Sequence, residues 1–73
     1  MSFPSKEIVA ALRVKYPIGT RVKLLKMDDI QAPPIGTLGT VFCVDDIGSI
    51  MVHWDNGSGL SVAYGEDIVE KTQ

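Results

Sequence analysis

Seventy-three residues with 45% hydrophobic content and a formal net charge of −2 fit one small globular domain near the lower size limit for folding alone, and argue against a disordered chain. A single cysteine, Cys43, excludes an internal disulfide and a Cys-based zinc site. No apolar run reaches membrane-spanning length and the first residues lack an apolar signal core, so the expected setting is a reducing cytoplasm with no membrane partner.

Residues 5–16 read as a helix. Ser2 or Ser5 can cap it, Glu7 suits its first turn, and Arg13 and Lys15 suit its last. Ile8, Leu12 and Tyr16 recur every four residues, with Val9 and Ala11 beside them, so one stripe needs something to cover. Pro17 ends the helix and Gly19 helps the chain turn.

Residues 20–70 read as β-structure. Thr20–Lys26 alternates, with Val22 and Leu24 on one face and Arg21, Lys23 and Leu25 on the other. Met27–Gly36 (MDDIQAPPIG) is a loop, because adjacent Pro33 and Pro34 exclude a central strand. Ten residues without regular structure is long for so small a domain, and long loops often carry function. Thr37–Val44 is a second strand, with Gly39 read as a bend or bulge. Asp45–Gly48 is a turn. Ser49–Trp54 alternates Ile50, Val52 and Trp54 against Ser49, Met51 and His53, and Asp55-Asn56-Gly57 turns the chain into a return strand at Leu60 and Val62. Tyr64–Asp67 is another turn, Ile68–Glu70 a short edge strand, and Lys71-Thr72-Gln73 a frayed end.

Trp54 dominates this pattern: burying about 150–250 Å² of one indole is worth roughly 4–6 kcal/mol before entropy. One helix and five short strands without βαβ alternation predict a mainly β domain, either a small antiparallel barrel or a strongly bent sheet.

A four-residue Asp45–Gly48 loop sets Val44 opposite Ser49 and Cys43 opposite Ile50. Cys43 then shares the core face of Trp54, and His53 points the other way, which argues against a Cys–His dyad. Phe42, Val44 and Met51 fall on the outer face. They are expected to be covered by the helix stripe, packed there or across the barrel end, or else by a partner or second copy.

Asp28-Asp29 and Asp45-Asp46 lack the converging spacing of a cation site and read as turn residues. The glycine-rich phosphate motifs GxxxxGK(S/T) and GxGxxG are both absent from the sequence. No catalytic, cofactor or metal signature stands out, so the expectation is a non-enzyme without cofactors.

With these motifs placed, YPIGTRV, MDDIQAPPIGTLGTV, VDDIG and VHWDNG, in order over Ile8–Ile68, resemble a family of small bacterial and phage-associated proteins known only as a domain of unknown function. More distantly, the GTV strand and WDNG turn are similar to the Mind bomb-type domain. That likeness implies an SH3-like barrel that recognises peptides, although SGLSVAYGED lacks the residues that complete the pattern.

Two surfaces compete. A protein or peptide partner is expected at the Met27–Pro34 loop, using Met27, Asp28, Asp29, Pro33 and Pro34, with Tyr64 and an edge of Trp54 nearby. The alternative rests on charge. Residues 1–26 hold six of the seven basic side chains against Glu7, a balance of +5, and residues 27–73 hold Lys71 against eight acids, a balance of −7. Lys6, Arg13, Arg21, Lys23 and Lys26 are therefore candidates for a nucleic-acid face, unless the halves neutralise each other on folding. The overall pI of 5.1 and few interleaved aromatics weigh against nucleic acid. A structural or self-assembling role is a third reading.

Overall fold

The computed structural model describes residues 4–72; the Ser2 alternative for the cap, Phe3 and Gln73 lie outside them. Helix α1 (Lys6–Lys15) is capped by Ser5, whose hydroxyl accepts from the Ile8 N–H at 3.2 Å. Val9, Leu12 and Tyr16 are buried along its inner side, and Pro17 follows the C-cap.

Five antiparallel strands follow: β1 (Arg21–Lys26), β2 (Leu38–Val44), β3 (Ser49–Trp54), β4 (Val62–Ala63) and β5 (Ile68–Lys71). They form one sheet in the order β4-β3-β2-β1-β5. The expected barrel is not closed: β4 and β5 are the two edges and do not pair with each other. The sheet is nonetheless strongly bent. Four interstrand gaps of about 4.8 Å would separate the edges of a flat sheet by roughly 19 Å. Ala63 and Ile68 are five residues apart, and even a fully extended link of that length reaches only about 17 Å.

Closure fails because β4 is short. The return strand expected from Leu60 holds its register as far as Ile50↔Val62 and Ser49↔Ala63, and the Asp55–Gly57 turn forms, with the Gly57 N–H donating to the Trp54 carbonyl. Between them the Leu60 carbonyl is taken by the Trp54 indole N–H at 2.8 Å. The outward groups of Ala63 are then consumed locally: its N–H donates to Asp67 Oδ2, and its carbonyl accepts from the Glu66 and Asp67 N–H groups.

The β2–β3 register corrects the expected one. Asp45 Oδ1 accepts from the N–H groups of Ile47 and Ser49, and the Asp45 N–H donates to the Ser49 carbonyl. This tightens the loop to Asp46–Gly48, with Gly48 at φ +82° supplying the left-handed turn. Val44 therefore faces Ile50 and Cys43 faces Met51, and a bulge between Val41 and Cys43 restores Val41↔Val52. Val44 lies in the core, and Cys43 is exposed. The bulge is at Phe42, not Gly39. A second bulge in the β1–β5 pairing leaves Leu25 outward.

The core joins Val22, Leu24, Val41, Val52, Trp54 and Val62 of the sheet to Val9, Leu12 and Tyr16 of α1. The helix thus packs on the inner side, over Val44 and Ile50. It does not cover Phe42, which stays 37% exposed.

Candidate functional site

The loop named from sequence divides between core and surface. Met27 and Pro33 are buried, while Asp28, Asp29 and Pro34 are exposed. Asp29 acts as a turn residue, its carboxylate accepting from the Gln31 N–H at 2.8 Å. The loop returns to β1 through the Gly36 N–H to the Leu24 carbonyl and the Leu24 N–H to the Thr37 carbonyl. Trp54 is 3% exposed and offers no edge to a partner; it is a core residue whose one polar atom is satisfied.

Tyr64 is different. It is 49% exposed and stands at a cleft of about 370 Å³ between the two free edges of the sheet. Leu12, Ile50 and Val62 form apolar lining, Ile68 and Val69 of β5 form one side, and Lys15 and Tyr16 at the end of α1 form another. Lys15 Nζ lies 5.4 Å from the Tyr16 ring centroid. A cleft of this size falls at the small end of the range for ligand sites. It accommodates a few side chains and presents no grouping of nucleophile and base. Lys15, Ile68 and Val69 were not singled out from sequence; the one available signal was an apolar Ile-Val pair in a strand assigned to an edge.

Three of the six basic residues among the first 26 are tied to acids from the rest of the chain. Arg13 Nη2 bonds Asp46 at 2.9 Å, and its Nε donates to the Val44 carbonyl at 3.1 Å. Arg21 makes a two-pronged pair with Asp55, at 2.9 and 2.7 Å, and also reaches Thr40 Oγ1. Lys23 lies 3.7 Å from Glu70. The hydrogen bond from Arg21 holds the Asp55 carboxyl below the usual carboxylate range, and the same bond raises Arg21. Lys6 and Lys26 have no ion pair among the described residues. Three of the five candidate nucleic-acid contacts are thus already partnered by carboxylates.

Cys43 and His53 remain unjoined, though not for the reason expected. Cys43 faces Met51 across the ladder, and the His53 ring stacks on Phe42 with centroids 4.0 Å apart and planes at 20°. No hydrogen bond links the two among the described residues. Phe42, Cys43, Ile18 and Arg13 border a second groove of about 300 Å³. The described residues hold no cluster of three or more His, Cys, Asp or Glu placed to bind a metal ion, and no helix among them is long and apolar enough to cross a membrane.

Comparison with curated proteins and with solved structures found no match. The model of one family does match, over residues 5–72, slightly beyond the span of the motifs read from sequence. The whole bent sheet and its helix lie within that match, and the chain belongs to the family described as a domain of unknown function, DUF4314.

Proposed function

We propose that this domain is a non-catalytic binding module that takes a segment of another protein in the cleft between its sheet edges. The single observation that carries this reading is Tyr64, half exposed beside an apolar cleft. An aromatic side chain with an accessible ring and a polar tip is the residue type that most often anchors an interface. The sequence placed the partner at the Met27–Pro34 loop; its exposed Asp28, Asp29 and Pro34, together with the fully exposed Ile30, form the second candidate surface for the same function. The strand order and the short β4–β5 link also support assigning the bent sheet to the SH3-like type, and a free, exposed Cys43 suits a reducing cytoplasm. A bacterial or phage setting rests on the motif resemblance alone.

Peptides selected on the immobilised domain from a display library test this. Amide shifts on binding should centre on Lys15, Tyr64 and Ile68, and Tyr64→Ala should weaken binding by roughly tenfold or more. Shifts confined to residues 27–34 would move the site to the loop. A library that yields no binder, or binders indifferent to both surfaces, would end the reading. The nucleic-acid alternative has no comparable observation behind it, since Arg13, Arg21 and Lys23 are engaged with carboxylates.

A further inference from the structure

The two edges of the sheet are not equivalent. At β4, Ala63 has its outward N–H and carbonyl occupied by Asp67 and Glu66, as described above. That edge is blunted. At β5, the Thr72 N–H donates to the Arg21 carbonyl, so Arg21/Thr72 is a hydrogen-bonded pair. In an antiparallel ladder such pairs alternate, and the next is Lys23/Glu70. Val69 and Lys71 lie between and beside them and turn their N–H and carbonyl groups away from β1. An independent observation agrees. Leu24 stands opposite Val69, and both its N–H and its carbonyl are spent on the other side, toward Thr37 and Gly36. The outer rim of β5 therefore presents two donors and two acceptors in strand spacing, next to the cleft that Ile68 and Val69 line.

We infer that the cleft is filled by strand addition: an extended peptide pairs antiparallel with β5 through Val69 and Lys71 and drops one apolar side chain into the cleft beside Tyr64. This deepens the binding reading above and rests on it. Charge selects the occupant. Lys71 closes one end of the rim, and Glu66 and Asp67 close the other. An antiparallel segment running past Lys71 first and Asp67 last is matched when it carries an acidic residue, then an apolar residue two places on, then a basic residue two places further. The central apolar residue lies opposite Val69, whose side chain is half-buried and lines the cleft. Pairing two copies of β5 is a poorer solution. Aligning Val69 with Lys71 of a second copy sets two Glu70 side chains opposite each other, and aligning Lys71 with itself opposes two ammonium groups. Aligning Val69 with itself does match Lys71 with Asp67, but the Asp67 N–H is already spent on the Ala63 carbonyl, so that ladder lacks a bond at each end, whereas a free peptide completes both bonds at Lys71.

The probe is a synthetic peptide, Ser-Glu-Thr-Leu-Thr-Lys-Ser, blocked at both ends, titrated into the isotope-labelled full chain. Binding should slow hydrogen exchange of the Val69 and Lys71 amides, and exchanging the Glu and Lys of the peptide should weaken it. Lys71→Pro is the decisive variant. It removes an outward N–H that no native bond uses, so the fold tolerates it, and binding should fall about fivefold to tenfold relative to the charge control Lys71→Gln. Glu70→Pro, which breaks a native bond to β1, should instead lower thermal stability. If this probe or a selected peptide shifts Lys15 and Tyr64 while Lys71→Pro binds like Lys71→Gln, strand addition is wrong and the cleft reading survives. If no peptide of any sequence binds, both fail together. Should Val69 be protected without peptide and the mass double with concentration, the occupant is a second copy and the inference is overturned.

Discussion

Gly39→Ala is the sharpest test of how the sheet is packed. Gly39 is the second residue of β2, buried and directly opposite Trp54. A Cβ there would stand 2.5 Å from Val52 Cγ1, 2.8 Å from Trp54 Cε3 and 3.0 Å from the His53 carbonyl oxygen. Neither side chain can swing aside, since Val52 and Trp54 are both in the core, and the carbonyl belongs to the ladder. Overpacking of this kind costs about 1–3 kcal/mol. Stiffening the unfolded chain returns about 0.4–1 kcal/mol, and the backbone at Gly39 is not left-handed, so no dihedral strain is added. The net loss is about 1–2 kcal/mol, which lowers the midpoint of a domain this size by roughly 4–16 °C. Urea and thermal unfolding followed by the single tryptophan measure it directly. Val52→Ala alone should cost about 2 kcal/mol through lost burial and a cavity. Because it also removes the nearest obstructing methyl, the double variant should fall short of additivity by about 1 kcal/mol. A Gly39→Ala protein as stable as the wild type, or a strictly additive pair, would show that the glycine is not there to admit the indole.

The Arg21–Asp55 pair predicts a pH dependence. Asp55 titrates below its ordinary value in the folded state, so its contribution is complete above the unfolded carboxylate pKa of about 4 and is lost as pH falls through the lower native value. Asp55→Asn should therefore be less stable than wild type at pH 7, with the gap narrowing at pH 3; a gap that holds at pH 3 contradicts the assignment. Gly48→Ala and Gly57→Ala share a left-handed backbone, at φ +82° and +91°, but only at Gly48 would a Cβ strike another residue, Pro4 Cγ at 2.5 Å. Gly57→Ala should cost about 1 kcal/mol, and Gly48→Ala should cost more and speed amide exchange in α1; equal losses would remove the helix contact from the account. Arg13→Ala deletes the bonds to the Val44 carbonyl and to Asp46, and should speed exchange in α1 while leaving β1 and β5 protected. Unchanged exchange throughout α1 would mean that packing alone holds the helix.

The period-two hydrophobes made much of this fold legible. Val22, Leu24, Ile50, Val52, Trp54 and Val62 all lie in the core as their alternation required, and the helix stripe of Leu12 and Tyr16 is buried with Val9. The β2–β3 register departs from the one that alternation predicts because it turns on one carboxylate. Asp45 accepts two backbone N–H groups and shortens the loop by a residue, and a bulge at Phe42 then compensates. Side-chain alternation reports which face a residue prefers and is blind to an inserted residue. Alternation alone fits Trp54 either as core or as a partly exposed edge, and its burial with the indole N–H on the Leu60 carbonyl decides for the core. The uneven charge of the two halves was visible at once, but its resolution into Arg13–Asp46, Arg21–Asp55 and Lys23–Glu70 required knowing which strands adjoin.

The indole of Trp54 connects these observations. A buried indole N–H needs an acceptor, and the acceptor it finds, the Leu60 carbonyl, lies on the strand that would otherwise extend the β3 ladder. With Leu60 committed, regular pairing resumes only at Val62 and Ala63. A two-residue edge cannot reach across to β5, and the sheet is left open along one seam. The interior bordering that seam, around Ile50 and Val62, is covered from one end by Leu12 and Tyr16 of α1 and elsewhere forms the floor of the cleft. Burial of the largest side chain and the open seam between β4 and β5 are thus linked through one hydrogen bond, and the surface best suited to a partner lies where the core had too little strand to finish itself.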